Sequence, residues 1–143
     1  LDKFMGDGIM AFFGAPQPRD NPCADAFAAA QAMLAALVEF NGEMAAEGRL
    51  PLAIGIGLNY GGAVVGYIGA ADRHEYTAIG DAVNTASRIE GLTKEAGYPL
   101  LASRAVLDRL ADRDGFVPLG EMAVKGRAAV EVFGWRPAPY PAD

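Results

Sequence analysis

Three polar residues stand at positions where a side chain could act on a ligand. Asp7 is the centre of Gly6-Asp7-Gly8, which joins two short apolar runs, a pattern typical of a β-hairpin with the aspartate at its tip. Asn84 and Arg88 are four residues apart in a predicted helix, so they project from one helix face. A carboxylate, an amide and a guanidinium in these places could bind a cation and a phosphate.

Each of these residues also has an ordinary structural explanation. Gly-Asp-Gly is common in turns that bind nothing. Arg88 could form a surface ion pair with Glu95 or Asp81. The local patterns alone leave both explanations open.

The elements that would hold these residues follow from the hydrophobic pattern. Apolar runs between turn residues predict strands or extended segments at 1–5, 9–13, 52–59, 63–68, 74–79, 99–102, 116–124 and 130–135. Helices are predicted at 22–47 with Asn21 as cap, at 81–96 with Asp81 as cap, and after Ser103, which caps a short helix. This order predicts an α+β fold with helices against one sheet.

Several glycines in the second pair of strands suggest a nucleotide-binding loop. However, Gly55, Gly57 and Gly61 do not match G-x-G-x-x-G, and no Lys-Ser or Lys-Thr pair follows as a P-loop requires. We therefore interpret these glycines as sites of strand curvature or close backbone packing.

Composition limits the classes of function. The 143 residues suffice for one domain, and the net charge of −6 excludes a broad basic surface, so we expect no nucleic-acid binding. The longest apolar run, 26–38, is shorter than the ~20 residues that span a bilayer, so we expect no membrane contact. One cysteine excludes an internal disulfide, one histidine leaves a zinc site dependent on carboxylates, and we expect a cytoplasmic protein.

The start of the chain predicts a larger protein. Residue 1 is a leucine within a predicted strand, and the sequence contains no signal peptide. We interpret 1–136 as a domain lacking its first part, followed by a proline-rich tail at 137–143.

Two stretches, Lys3–Asp7 and Tyr76–Arg88, resemble the main signatures of class III adenylyl/guanylyl cyclase catalytic domains. Further matches are Phe13–Pro16, Gly55–Gly69 and Val124–Gly126, so the resemblance covers nearly the whole chain up to its tail. It implies a ferredoxin-like sheet with helices packed on it. It also implies that the first family strand, which carries the first of two metal-binding aspartates, is missing together with its helix.

The resemblance implies a reaction and a set of residue roles. In the family, the ribose 3′-hydroxyl attacks the α-phosphate of a nucleoside triphosphate and expels pyrophosphate, assisted by two Mg²⁺ or Mn²⁺ ions. Asp7 matches the second metal-binding aspartate. Asn84 matches the residue that orients the ribose, and Arg88 the one that stabilises the developing phosphate charge. Lys125 resembles the lysine that contacts the terminal phosphates.

The residues at the base-selecting positions imply ATP as substrate. Lys3 matches the lysine that donates to adenine N1, whereas guanine N1 is itself a donor and would be left unsatisfied, at a cost of about 1–3 kcal/mol. This contact favours ATP about 10- to 100-fold. Thr77 can accept from the adenine amino group but can also donate, so it discriminates less. A threonine here also resembles a bicarbonate-responsive subgroup.

The resemblance further implies a homodimer. In the family, the metal aspartates come from one chain, and the base-binding, ribose-binding and phosphate-binding residues come from its partner. This chain contains both kinds, which fits two equivalent sites. Two alternatives remain, a catalytically silent dimerisation or nucleotide-sensing module and a guanylyl cyclase. Without the first metal-binding strand, we expect the 143-residue chain alone to be weakly active or inactive.

Overall fold

The computed structural model describes residues 3–68, 75–123 and 129–137. In chain order these residues form β1 (Lys3–Met5), β2 (Gly8–Met10), α1 (Pro22–Ala46), β3 (Ile56–Leu58), β4 (Val64–Ile68), β5 (Glu75–Ile79), α2 (Asp81–Gly91), α3 (Thr93–Ala96), β6 (Leu100–Ser103), α4 (Arg104–Leu107), β7 (Val117–Met122) and β8 (Val130–Trp135). The predicted helix 81–96 is therefore divided at Leu92. The described part of the extended segment 74–79 is a full strand, β5.

The strands form three hydrogen-bonded sheets among the described residues. β1 pairs with β2, and β4 pairs with β5, both as antiparallel two-stranded ribbons. The central sheet has the order β3-β6-β8-β7, in which β3 and β6 are parallel and the other neighbours are antiparallel. The described strands are thus divided among three sheets, and the predicted α+β class, with helices packed on a sheet, is confirmed.

The central sheet has a core on each of its two faces. Adjacent residues of β6 point to opposite faces, so Leu100 and Ala102 lie in one core and Leu101 lies in the other. Helices α1 and α4 cover the first face, and α2 covers the second, where Ile89 is fully buried. Helices therefore cover both faces of the central sheet.

β3 alternates between these two cores. Its segment directs three apolar residues to the α1 side: Ile54, Ile56 and Leu58. Gly55 and Gly57 lie against α2 instead, and a Cβ built on Gly57 would be 2.5 Å from Glu90 N and 2.6 Å from Ala86 O. The interpretation of these glycines as sites of close backbone packing is confirmed.

α1 begins and ends as the sequence predicts. Pro22 is its first residue, and the Asn21 side chain accepts a hydrogen bond from a backbone N–H of the first turn at 3.1 Å. At the other end, the N–H groups of Gly48 and the next residue donate to two last-turn carbonyls at 3.0 and 2.8 Å. With Gly48 at a φ of 74°, this is a Schellman motif.

An ion pair also fixes the start of α1. Arg19 Nε donates to Asp25 in the first turn at 2.7 Å. This hydrogen bond holds the pKa of the Asp25 carboxyl below its usual value. Arg19 is exposed and Asp25 is only partly buried, so the pair is expected to contribute little to stability.

α1 is the one helix in the described part of the chain that is long and apolar enough to cross a membrane. Its Ala30 and Leu34 are buried against the sheet, however. Phe27 packs against Phe116 and Trp135, with ring centroids 5.2 and 5.1 Å away. These are the contacts of a core helix, and the absence of membrane contact stays a prediction.

Candidate active site

α2 carries two of the predicted site residues. Asn84 and Arg88 are exposed and lie one turn apart, whereas Thr85 and Ile89 of the same helix are buried against the sheet. The predicted common face of Asn84 and Arg88 is therefore confirmed. Their amide and guanidinium groups both face away from the central core.

Arg88 has no ion pair within the described residues. The alternative of a surface ion pair with Glu95 or Asp81 is therefore wrong for this structure. An exposed guanidinium beside an exposed amide can donate several hydrogen bonds to one anionic ligand. A phosphate is the ligand that best matches this fork of donors.

A glycine directs the chain from β5 into α2. Gly80 is the N-cap residue, with φ of 139° and ψ of 179°, and its carbonyl accepts from the N–H groups of Val83 and Asn84. This backbone conformation is essentially restricted to glycine. Asp81 is the first helical residue and not the cap, so the predicted cap is wrong by one position. Its carboxylate still lies at the positive end of the helix dipole.

The β1–β2 hairpin carries the other predicted residues. Gly6 and Asp7 form its two-residue loop, between the paired residues Met5 and Gly8. Gly6 has a φ of 61°, as the first position of a type II′ turn requires, and Asp7 follows it as an exposed residue. Lys3 lies partly buried on the same hairpin. The predicted hairpin, with its aspartate at the tip, is confirmed.

The predicted site residues thus belong to two separate structural units. The hairpin carries Lys3 and Asp7, and the unit formed by β5 and α2 carries Thr77, Asn84 and Arg88. The hairpin strands pair with each other, and β5 pairs with β4, so the two groups of predicted residues lie in different sheets or on the helix that follows one of them.

The remaining two predictions are limited by what the structure describes. Thr77 is placed by its backbone, which pairs with Gly66 in the β4–β5 ribbon. Lys125 lies outside the described residues. The role of each stays a prediction.

Sequence reasoning missed the residues that hold the first turn of α2. Asn59 Nδ2 donates to the carbonyl of Ala82 at 3.0 Å, and the bond is partly buried. A Cβ built on Gly61 would lie 3.0 Å from Ala82 Cβ. The alternation of glycine with apolar residues through 54–58, continued by Asn59, is the signal that could have revealed this contact surface.

One acidic residue, Asp7, is of a type that could bind a metal ion. Asp7 presents an exposed carboxylate, which is the ligand type that Mg²⁺ and Mn²⁺ prefer. The described residues contain no group of three or more His, Cys, Asp or Glu side chains that could hold an ion. The exposed carboxylate of Asp7 could serve as one ligand, and its role as a metal ligand stays a prediction.

Both two-stranded ribbons expose apolar cross-strand pairs. Phe4 pairs with Ile9 in the hairpin, and these residues are 71% and 55% exposed. Val64 pairs with Ile79 in the β4–β5 ribbon, and they are 64% and 49% exposed. Exposed apolar pairs on both units that carry site residues are typical of surfaces that bind another protein segment.

The family described as the adenylate and guanylate cyclase catalytic domain matches residues 3–135. Because the match covers nearly the whole sequence, the chain belongs to this family. Domains of the family act on a nucleotide, generally use divalent metal ions and typically dimerise. The resemblance of the two signature stretches is thereby confirmed.

Named relatives share this similarity. The chain is 39% identical over 132 residues to adenylate cyclase 1 of Rhizobium meliloti (strain 1021), covering 92% of this chain and 20% of the relative. It is 40% identical over 120 residues to adenylate cyclase of Anabaena cylindrica, covering 81% of this chain and 23% of that relative. The chain thus spans about a fifth of the length of these relatives.

Solved structures share the fold over most of the chain. The adenylyl cyclase CyaB from P. aeruginosa is 32% identical with a TM-score of 0.83, covering 96% of this chain and 71% of that one. The guanylyl cyclase Cya2 is 33% identical with a TM-score of 0.77, covering 99% of this chain and 72% of that one. The chain is thus similar to an adenylyl cyclase and to a guanylyl cyclase at nearly equal identity, so overall similarity does not distinguish ATP from GTP as substrate.

Proposed function

We propose that this domain converts ATP to 3′,5′-cyclic AMP and pyrophosphate at the interface between two copies of the chain. The observation that carries the proposal is the exposed guanidinium of Arg88, without an ion pair in the described residues, one turn from Asn84 on a helix of a cyclase domain. Two relatives named as adenylate cyclases support the choice of reaction.

The side chains of α2 act on the reacting phosphate. The ribose 3′-oxygen forms a bond to the α-phosphorus, its proton leaves, and the bond from that phosphorus to the pyrophosphate oxygen breaks. Negative charge builds up on the phosphate oxygens in this step, and Arg88 donates hydrogen bonds to it. Asn84 holds the ribose so that its 3′-oxygen faces the phosphorus.

Asp7 holds a divalent cation next to the nucleotide. When bound, such an ion polarises the phosphate oxygens and lowers the pKa of the attacking hydroxyl. The position of Asp7 at the apex of a type II′ turn supports this role because the short loop leaves its carboxylate exposed. Two Mg²⁺ or Mn²⁺ ions are proposed, with the second carboxylate supplied by a segment beyond the described residues.

Lys3 and Thr77 select the base, and Lys125 contacts the terminal phosphates. A lysine can donate to adenine N1, which accepts, but not to guanine N1, which donates. Thr77 offers an oxygen to the adenine amino group. This donor pattern favours ATP over GTP.

The homodimer is proposed because one chain carries both the aspartate that would bind metal, Asp7, and the base-, ribose- and phosphate-binding residues that the family takes from a partner chain. The exposed pairs Phe4–Ile9 and Val64–Ile79 support burial of both units against a partner. A two-fold interface would then use every group twice and create two equivalent sites. A cytoplasmic location is proposed along with it, since the one cysteine is free and buried.

The experiment measures cyclic AMP formation by the full-length protein from ATP with Mn²⁺ or Mg²⁺. We expect Arg88→Ala to lower kcat by about 10²- to 10³-fold, because a donor to the transition state is lost. Arg49→Ala is the matched control, since Arg49 is an exposed arginine in the loop after α1. Wild-type kcat in the Arg88 variant, or a wild-type protein that binds nucleotide without turnover, would contradict the proposal.

A further inference from the structure

Three glycines lie against α2 and α3 at points where a Cβ would come within about 3 Å of a neighbouring atom. A Cβ on Gly55 would collide with the Thr93 hydroxyl, and a Cβ on Gly57 would lie 2.5 Å from Glu90 N. A Cβ on Gly61 would lie 3.0 Å from the methyl of Ala82. We call these three glycines the glycine seat.

Lack of space, and not backbone conformation, is the reason for glycine at these three positions. None of the three has a positive φ, in contrast to Gly80 and Gly48. An L-amino acid could therefore adopt their backbone angles. What excludes a larger residue is the approach of α2, whose backbone atoms come within 2.6 Å of the position that a Cβ on Gly57 would occupy.

The glycine seat contacts one face of α2, whereas the predicted site residues Asn84 and Arg88 lie on another face of the same helix. The contacted positions on α2 and α3 recur at helical spacing: Ala82, Ala86, Glu90 and Thr93. Asn84 and Arg88 follow Ala82 and Ala86 by two residues, which is about 200° around the helix. Anything that lifts α2 from the seat therefore moves Asn84 and Arg88 outward. Asn59, bonded to the carbonyl of Ala82, resists this movement.

We propose that the glycine seat is a positioning device for catalysis, which sets the height of α2 above the central sheet and thereby the reach of Asn84 and Arg88 towards the phosphate. The proposal rests on the proposed function for its catalytic consequence. A methyl group on Gly57 would need about 1 Å more room to reach ordinary van der Waals separation. A misplacement of about 1 Å can reduce a rate by about 10²-fold.

The first experiment uses a compensating pair in the full-length protein. Gly61→Ala adds a methyl that meets only Ala82 Cβ at 3.0 Å, and Ala82→Gly removes that atom. We expect Gly61→Ala to lower kcat by about three- to tenfold, with a smaller change in KM, and the double variant to recover most of the loss. Gly62→Ala is the matched control, since no atom lies within 4 Å of its Cβ position.

The second experiment measures the position of α2 without reference to activity. Spin labels at Glu39→Cys and Ser87→Cys, in a Cys23→Ala background, report the distance between exposed positions on α1 and α2. These helices lie on opposite faces of the central sheet, so we expect Gly57→Ala to lengthen the distance by about 1 Å. Gly61→Ala provides a smaller shift in the same direction if the Gly57 variant does not fold.

The outcomes separate the two proposals. A wild-type protein that cyclises ATP, together with unchanged kcat in Gly61→Ala or a loss that Ala82→Gly does not restore, overturns the role of the seat alone. An unchanged distance between the labels also overturns it. A wild-type protein that does not cyclise ATP refutes the proposed function, and the label distance then still decides whether the seat sets the height of α2.

Discussion

At the scale of single residues, the proposed preference for ATP over GTP depends on one hydrogen-bond donor, the ammonium of Lys3. Lys3 is partly buried on the hairpin, and its ammonium offers donors only. Adenine N1 accepts such a bond and guanine N1 does not, whereas both bases fit the fold, as the adenylyl and guanylyl cyclase neighbours indicate. Lys3 is therefore the residue on which the proposed preference for ATP most directly rests.

We expect Lys3→Glu to shift the preference from ATP towards GTP by about 10- to 100-fold, because the carboxylate accepts from guanine N1 and faces adenine N1 without a donor. The ratio of kcat/KM for the two nucleotides measures this shift. Lys94→Glu, an exposed residue of α3, makes the same change of charge. An unchanged ratio in the Lys3 variant would remove Lys3 from the base site.

Residue positions could be predicted from the sequence more readily than side-chain contacts. The spacing of Asn84 and Arg88 predicts their common face, because a helix repeats every 3.6 residues. The side-chain hydrogen bonds of helix caps are harder to predict. Ser103 occupies the predicted N-cap position of α4, but its side chain forms no cap hydrogen bond, and its buried Oγ has no hydrogen-bond partner. Sequence patterns do not report the side-chain torsion that decides such a bond.

At the scale of elements, backbone conformation separates glycines that look alike in the sequence. Gly42 lies within α1 at helical angles, and Gly48 follows the helix at a φ of 74°. Neither has an atom within 4 Å of its Cβ position. Differences between substitutions at the two sites therefore report conformation and not packing.

We expect Gly42→Ala to stabilise α1 by about 0.5–1 kcal/mol and Gly48→Ala to destabilise its end by about 1–2 kcal/mol. Hydrogen–deuterium exchange of the α1 amides in the intact protein measures both effects. Exchange should slow about two- to fivefold in the first variant and accelerate in the second. Faster exchange in Gly42→Ala would show that this glycine has a contact that the fold does not reveal.

The element boundaries show what local patterns miss. The alternation of glycine and apolar residues through 54–58 predicts a strand with one uncovered face, but not that the backbone of α2 fills it. The division of helix 81–96 at Leu92 follows Gly91, but a single glycine within a helical pattern does not by itself predict a break. Both depend on contacts between distant segments, which override local propensity.

At the scale of the whole molecule, the proposed active site needs two chains. The family resemblance takes Asp7 from one chain and Lys3, Asn84 and Arg88 from its partner. One chain carries residues of both kinds, Lys3 and Asp7 on the hairpin and the other two on α2. The partition of the strands into three sheets could not be predicted, because strand pairing depends on long-range contacts.

We expect Asp7→Asn and Arg88→Ala variants to restore activity when mixed, although each is inactive alone. A heterodimer combines the intact Asp7 of one chain with the intact Arg88 of the other at one of its two sites. Random exchange of subunits should recover about a quarter of wild-type activity. Cyclic AMP formation after mixing the full-length variants measures this, and no recovery would place both residues in one chain's own site.

The aromatic cluster gives this domain a built-in optical probe. Trp135 is the only tryptophan in the sequence, and its indole meets the Phe27 ring edge-on where α1 packs on the central sheet. Tryptophan fluorescence therefore reports whether α1 is packed on the central sheet, and no added label is needed. The other face of the central sheet, which α2 covers, has no tryptophan, so this emission does not report on it.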